Sequence, residues 1–153
     1  MTVTTTGTLR ASTYALMKLL RDNASVLQQR VYPPGVVESA MMPRATVTQY
    51  TPKEQIDGLG ASVTSFSQVR FKVNIYHKDP GQIDPVSDSV IQAVKQNRNY
   101  APAAITIGQD AAVDPKGKFY QLAIDGGGEV SVDNKTQLYF RSIIVSGVWH
   151  QTS

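Results

Sequence analysis

Two histidines, three closely spaced aspartates and a glycine triplet are the groups in this chain whose types could do chemistry. His77 and His150 are its only imidazoles, so a general base or a histidine metal ligand would have to be one of them. His77 ends a strand-like stretch and His150 follows the single tryptophan, Trp149; both are read as surface or structural residues. Asp79, Asp84 and Asp88 lack the spacing of a calcium loop, with its central Gly and final Glu, and Asp84 before Pro85 reads instead as a helix cap. Gly126 to Gly128 lead into "EVSV", a strand, whereas a phosphate cradle needs glycines that open a helix, so a hairpin turn is expected there. "DPKGK" around Lys116 lacks the spacing of a P-loop, and no serine sits in a Gly-x-Ser-x-Gly elbow. The absence of cysteine removes disulfides, thiolate metal sites and cysteine nucleophiles together. The expectation is a protein that is not an enzyme and that works without metal or organic cofactor.

The elements that position these groups follow from periodicity. Thr8 is placed to cap a helix from Leu9 to about Asp22, with Leu9, Leu16, Leu19 and Leu20 on one stripe; the Thr-rich residues 1–7 before it read as a loose arm. "SVLQQRVYPP" ends at Pro33-Pro34, and "PRATVTQYT" reads as a strand. From about Val63 to Tyr76 the alternation is clean: Val63, Val69, Phe71, Val73 and Ile75 on one face, Gln68, Arg70, Lys72 and Asn74 on the other. In "DPGQIDPVSDSVIQAVKQN", Val86, Val90, Ile91 and Val94 recur at helical spacing behind Asp84 and Pro85. "AITI", "KFYQLAI", "GGGEVSV" and the closing "QLYFRSIIVSGVWH" return to strand chemistry. One α+β domain over residues 1–153 results, a largely antiparallel sheet with two helices packed on one face, plus an inserted β-hairpin before the last strand.

Charge narrows the partners. The formal charge of +3 comes from residues scattered along the chain, with no Lys/Arg block, so nucleic acid is not demanded. The strand "QVRFKVNIY" mixes basic and aromatic residues as an RNA-binding sheet does, but Phe71 points with Val69 and Val73 toward the core, so its polar side reads as a solvated face. The start has neither a signal-peptide pattern nor a membrane span, and the acceptor patterns at Asn23 and Asn134 are read as chance.

The closing strand raises a separate question. One face carries Tyr139, Ile143, Val145 and Trp149, the other Leu138, Phe140, Ile144 and Val148, so both faces are apolar and a cover is expected on each. The loop from Thr51 to Gly60 is expected to project from the sheet and to dock partners through Lys53, Glu54, Ile56, Asp57 and Leu59.

The order of "RVYP" at Arg30 to Pro33, "MPRATVTQY", "VRFKVNIYHKD", "VSDSVIQAVKQN" and "YFRSIIVSGVWH" resembles the tail-terminator or tail-completion proteins of long-tailed bacteriophages. The resemblance covers almost the whole chain; the stretch from about 100 to 135 is longer than that family's pattern and reads as an insertion. It implies a virion protein of the tail's head-proximal end, assembled in the host cytoplasm. Its partners would be its own copies in a ring, commonly a hexamer, the tail tube protein, a head-side connector or head-completion protein and the tape-measure protein, with DNA only as passing cargo and no membrane. No functional residue is carried over. The alternatives are a head-completion protein, a tail-tube subunit and a small nucleic-acid-binding module.

Overall fold

The alternating and doubly apolar stretches become two long strands, paired along their whole length at the centre of a sheet. The computed structural model describes residues 2–4, 8–33, 41–50, 53–55, 65–102, 112–114 and 117–151. In chain order its elements are β1 (Thr2–Thr4), α1 (Thr8–Asn23), a 3-10 turn (Ser25–Leu27), β2 (Val31–Tyr32), β3 (Arg44–Gln49), β4 (Lys53–Gln55), β5 (Ser65–His77), a second 3-10 turn (Pro80–Gln82), α2 (Ile83–Gln96), β6 (Ala112–Asp114), β7 (Gly117–Gly127), β8 (Ser131–Asp133) and β9 (Leu138–Gln151).

β5 and β9 run antiparallel from Ser65 opposite Gln151 to His77 opposite Tyr139. β3 and then β4 line the other edge of β5, both antiparallel to it. β7 and then β8 line the other edge of β9 in the same way. β2 adds a short parallel rung to β3, and β1 pairs in parallel with β6 as a separate two-stranded sheet. Arg30 secures the β2–β3 end, its Nε donating to the Pro43 carbonyl at 2.8 Å and its Nη2 to that of Met42 at 3.1 Å.

Both helices lie on one face of this sheet, as the sequence pattern requires. Leu16, Leu19 and Leu20 of α1 and Ile83, Val86, Val90 and Val94 of α2 are buried against Val47, Val69, Phe71, Val73, Ile75, Ile143, Val145 and Trp149. Each such side chain contributes about 1.5–3 kcal/mol on burial. At one end of this layer Trp149 meets Phe119 edge-on at 4.8 Å, and Phe119 meets Phe71 in the same manner at 5.9 Å. No helix among the described residues is long and apolar enough to cross a membrane.

Four local expectations change. α2 begins at Ile83, so Asp84 lies inside its first turn; the cap belongs to Asp79, whose carboxylate accepts from Gly81 N at 2.9 Å and opens the 3-10 turn that runs into the helix. Asp84 instead receives Arg141 Nη1 at 2.6 Å, tying β9 to α2. The glycine triplet is no hairpin turn, because β7 and β8 both pair with β9 and the glycines only interrupt that edge; the chain reverses at Asn134–Gln137, where Gln137 takes a φ of 59°. The 51–60 loop does not leave the sheet throughout, since Lys53–Gln55 pair with Phe66–Gln68 as β4. Finally, of the cover expected on the second face of β9, the described inserted strands β7 and β8 supply none, since they extend the sheet beside it. "AITI" lies outside the described residues.

The free edge of β7 is not bare. Phe119 N donates to the Tyr100 carbonyl at 2.9 Å and Leu122 N to that of Arg98 at 3.0 Å, so the segment after α2 satisfies the edge amides. The Tyr100 phenol is pushed up from 10.0 to about 12, by burial first and then by the charge of Asp22, to which it donates a hydrogen bond. A phenol that holds its proton more tightly when folded stabilises the fold below pH 10.0, and that contribution falls away as pH rises toward about 12. Urea titrations across this range should show stability falling with pH, and Tyr100→Phe should flatten that part of the profile while lowering stability at neutral pH.

Candidate functional site

The face of the sheet turned away from the helices is a structured surface that the buried core does not use. Register places Phe66, Gln68, Arg70, Lys72, Asn74 and Tyr76 of β5 on it, opposite His150, Val148, Ser146, Ile144, Ser142 and Phe140 of β9. β3 adds Thr46 and Thr48, and β7 adds Lys118 and Tyr120. The second apolar face of β9 is thus spread among polar cross-strand neighbours. Phe140, Ile144 and Val148 are half-buried there, although no described helix is layered on them.

β7 shapes the middle of this face. Its register slips between Tyr120 and Ala123 and again between Ile124 and Gly126, so the strand bulges away from β9 twice. At the first bulge Gln121 takes a left-handed φ of 56°, which turns Leu122 inward over Gly147. At the second, Asp125 reaches Arg70 at 3.1 Å in an exposed ion pair. The result is an open groove of about 870 Å³ with Ile144 and Val148 on its floor and Tyr50, Gln68, Arg70, Gln121 and Asp125 on its walls.

The rings on this face are engaged with one another. Phe66 stacks on His150 at 4.3 Å with 9° between the planes, Tyr120 lies 6.3 Å from His150, and Lys118 sits over Tyr120 at 5.2 Å. At the other end Tyr76 packs on Phe140 at 5.8 Å, with the buried Arg44 guanidinium 5.2 Å from its centroid. Between them Ser142 Oγ donates to Asn74 Oδ1 at 2.6 Å.

The residues singled out from sequence do not converge. His77 Nδ1 accepts from Asp79 N at 3.0 Å, a loop contact, and His150 belongs to the ring cluster at the opposite end of β9. Among the described residues no three His, Asp or Glu side chains are grouped to hold a metal ion. Of the docking residues, Lys53 and Glu54 fall in β4, while Ile56, Asp57 and Leu59 lie outside the described residues. The groove was missed because its walls come from non-local neighbours: Arg70 and Lys72 were legible as a polar face, but nothing local marks Asp125 as the partner of Arg70.

Fold and face together define a two-layer α+β domain with a broad polar sheet surface. No protein-family model matches the chain, and no curated protein matches it in sequence. Its fold is similar to that of a chain in a solved structure of the virion of a native gene transfer agent particle: the TM-score is 0.58 at 13% identity, covering 90% of this chain and 93% of that one.

Proposed function

We propose that this chain is a structural virion protein that caps the head-proximal end of a phage tail tube as a ring, commonly of six copies. It ends tube polymerisation and offers the surface to which the head-side connector attaches. The observation that carries the reading is the fold likeness to a virion chain over nearly the full length of both proteins, joined to the order of sequence signatures from "RVYP" to "YFRSIIVSGVWH". Capping needs shape and charge at two ring faces and no reacting group. The test is to add the purified protein to growing tail tubes. Tube length should stop increasing, and light scattering with negative-stain microscopy should show closed rings at tube ends; tubes that elongate undisturbed would overturn the reading.

Docking through the 51–60 segment belongs to the same proposal. Lys53 and Glu54 stand on a three-residue strand at the sheet edge; surface charges in general contribute little to stability but set complementarity with a neighbour. Replacing Lys53, Glu54 and Asp57 together with alanine should therefore leave the melting temperature nearly unchanged and lower the yield of joined particles in a terminator-deficient phage, and Ile56→Ser should lower that yield too. Full complementation by both variants would remove the segment from the docking surface.

A further inference from the structure

We propose that the outer sheet face binds the phosphate backbone of duplex DNA without reading its sequence. Across β3, β5, β7 and β9 this face presents Arg70, Lys72 and Lys118 against one described carboxylate, Asp125, and β8 adds Asp133 at the far end, opposite Leu138. Asp125 is held by Arg70 in a pair whose side chains are 57% and 48% exposed, so a phosphate can replace it in water at little cost. Between the cations stand uncharged hydrogen-bonding groups, Thr46, Thr48, Gln68 and Ser146, on the successive paired strands β3, β5 and β9. Cations interspersed with hydroxyl and amide donors are the side chains that contact phosphate and sugar oxygens.

Two further observations choose the duplex backbone over other occupants. Phe66 is stacked on His150 and Tyr76 is tilted against Phe140, so these four rings are engaged in pairs, and Tyr50 on the groove wall, 45% exposed, is a single ring where a run of unpaired bases would need several. The groove is open, and its apolar floor of Ile144 and Val148 is set among polar neighbours, whereas the anchors of a protein partner are held best in enclosed, desolvated pockets. The proposal does not rest on the ring reading: a chain that binds DNA without closing a ring leaves this inference standing and removes the other.

The test is fluorescence anisotropy with the full chain and two labelled duplexes of unrelated sequence, from about 50 to about 200 mM salt. Both duplexes should bind alike, with log K falling against log salt at a slope of about −3 per bound chain. Arg70→Gln, Lys72→Gln and Lys118→Gln should each flatten that slope by about 1, while Lys72→Arg and the helix-side Lys95→Gln should leave it as it was. Circular dichroism melts establish that each variant is folded. No binding at about 50 mM salt would overturn the proposal, as would equal flattening by Lys95→Gln. Displacement of DNA by polyglutamate of matched charge as effectively as by unlabelled duplex would also overturn it, and would assign the face to an acidic protein surface.

Discussion

Trp149→Ala should cost about 3–5 kcal/mol in denaturant titrations. The indole is fully buried, lies edge-on to Phe119 at 4.8 Å and stands opposite Ser67, where it closes one end of the core between β5, β7 and β9. Its neighbour Gly117 has been left without a side chain to make room: a Cβ there would run into the indole Cζ2 and lie 2.6 Å from the His150 carbonyl oxygen. Gly117→Ala should therefore destabilise the parent by about 1–3 kcal/mol. In the Trp149→Ala background the same change should cost less, but not nothing, because the backbone oxygen remains. Additive losses would mean that the indole and the glycine do not share the space.

A second pair tests the bulge that shapes the outer groove. Leu122 is fully buried, and Leu122→Ala should cost about 2–5 kcal/mol. It reaches the core because the left-handed Gln121 carries it over Gly147, where a Cβ would stand 2.9 Å from Leu122 Cδ2 and 3.3 Å from both Leu122 Cα and the Tyr120 carbonyl oxygen. Gly147→Ala alone should cost about 1–3 kcal/mol by overpacking. Combined, the two should cost about 1 kcal/mol or more below their sum, since truncating Leu122 removes the nearest clash. Equal sums would show that β7 relaxes away from β9 instead of holding its bulge.

The α+β class, the two helices and the two central strands were legible because their apolar periods are long and unbroken. Boundaries failed where two local signals compete. Asp79-Pro80 and Asp84-Pro85 are both cap-and-proline pairs five residues apart, and the helix starts between them because the first pair sets up a 3-10 turn that continues into it. Likewise the glycines at 126–128 carry the stronger turn composition, yet the reversal occurs at Asn134–Gln137, where Asp133 accepts from Gln137 N through its carbonyl at 2.8 Å and from Lys135 N through its carboxylate at 2.9 Å. The outer groove was illegible for a different reason. Arg70 and Asp125 stand 55 positions apart and Asn74 and Ser142 stand 68 apart, and only the register of β5 on β9 and the bulges of β7 bring them together.

That same register sets how the chain must fold. The pairs joining β5 to β9 span from 62 residues, His77 to Tyr139, to 86 residues, Ser65 to Gln151. Lengthening a closed loop from the first span to the second adds only about 0.3 kcal/mol of closure entropy, so neither end of the ladder is strongly favoured as the starting point by length alone. The β8–β9 reversal, by contrast, closes over four residues, Asn134–Gln137, and costs little to form early. On these grounds β9 is expected to acquire a local partner on one edge before β5 docks on the other, with the docking of β5 as the slow step. A sheet whose central pairing is this non-local belongs with the slow folders, in milliseconds to seconds, and until β5 arrives the apolar inner edge of β9 is open to another chain.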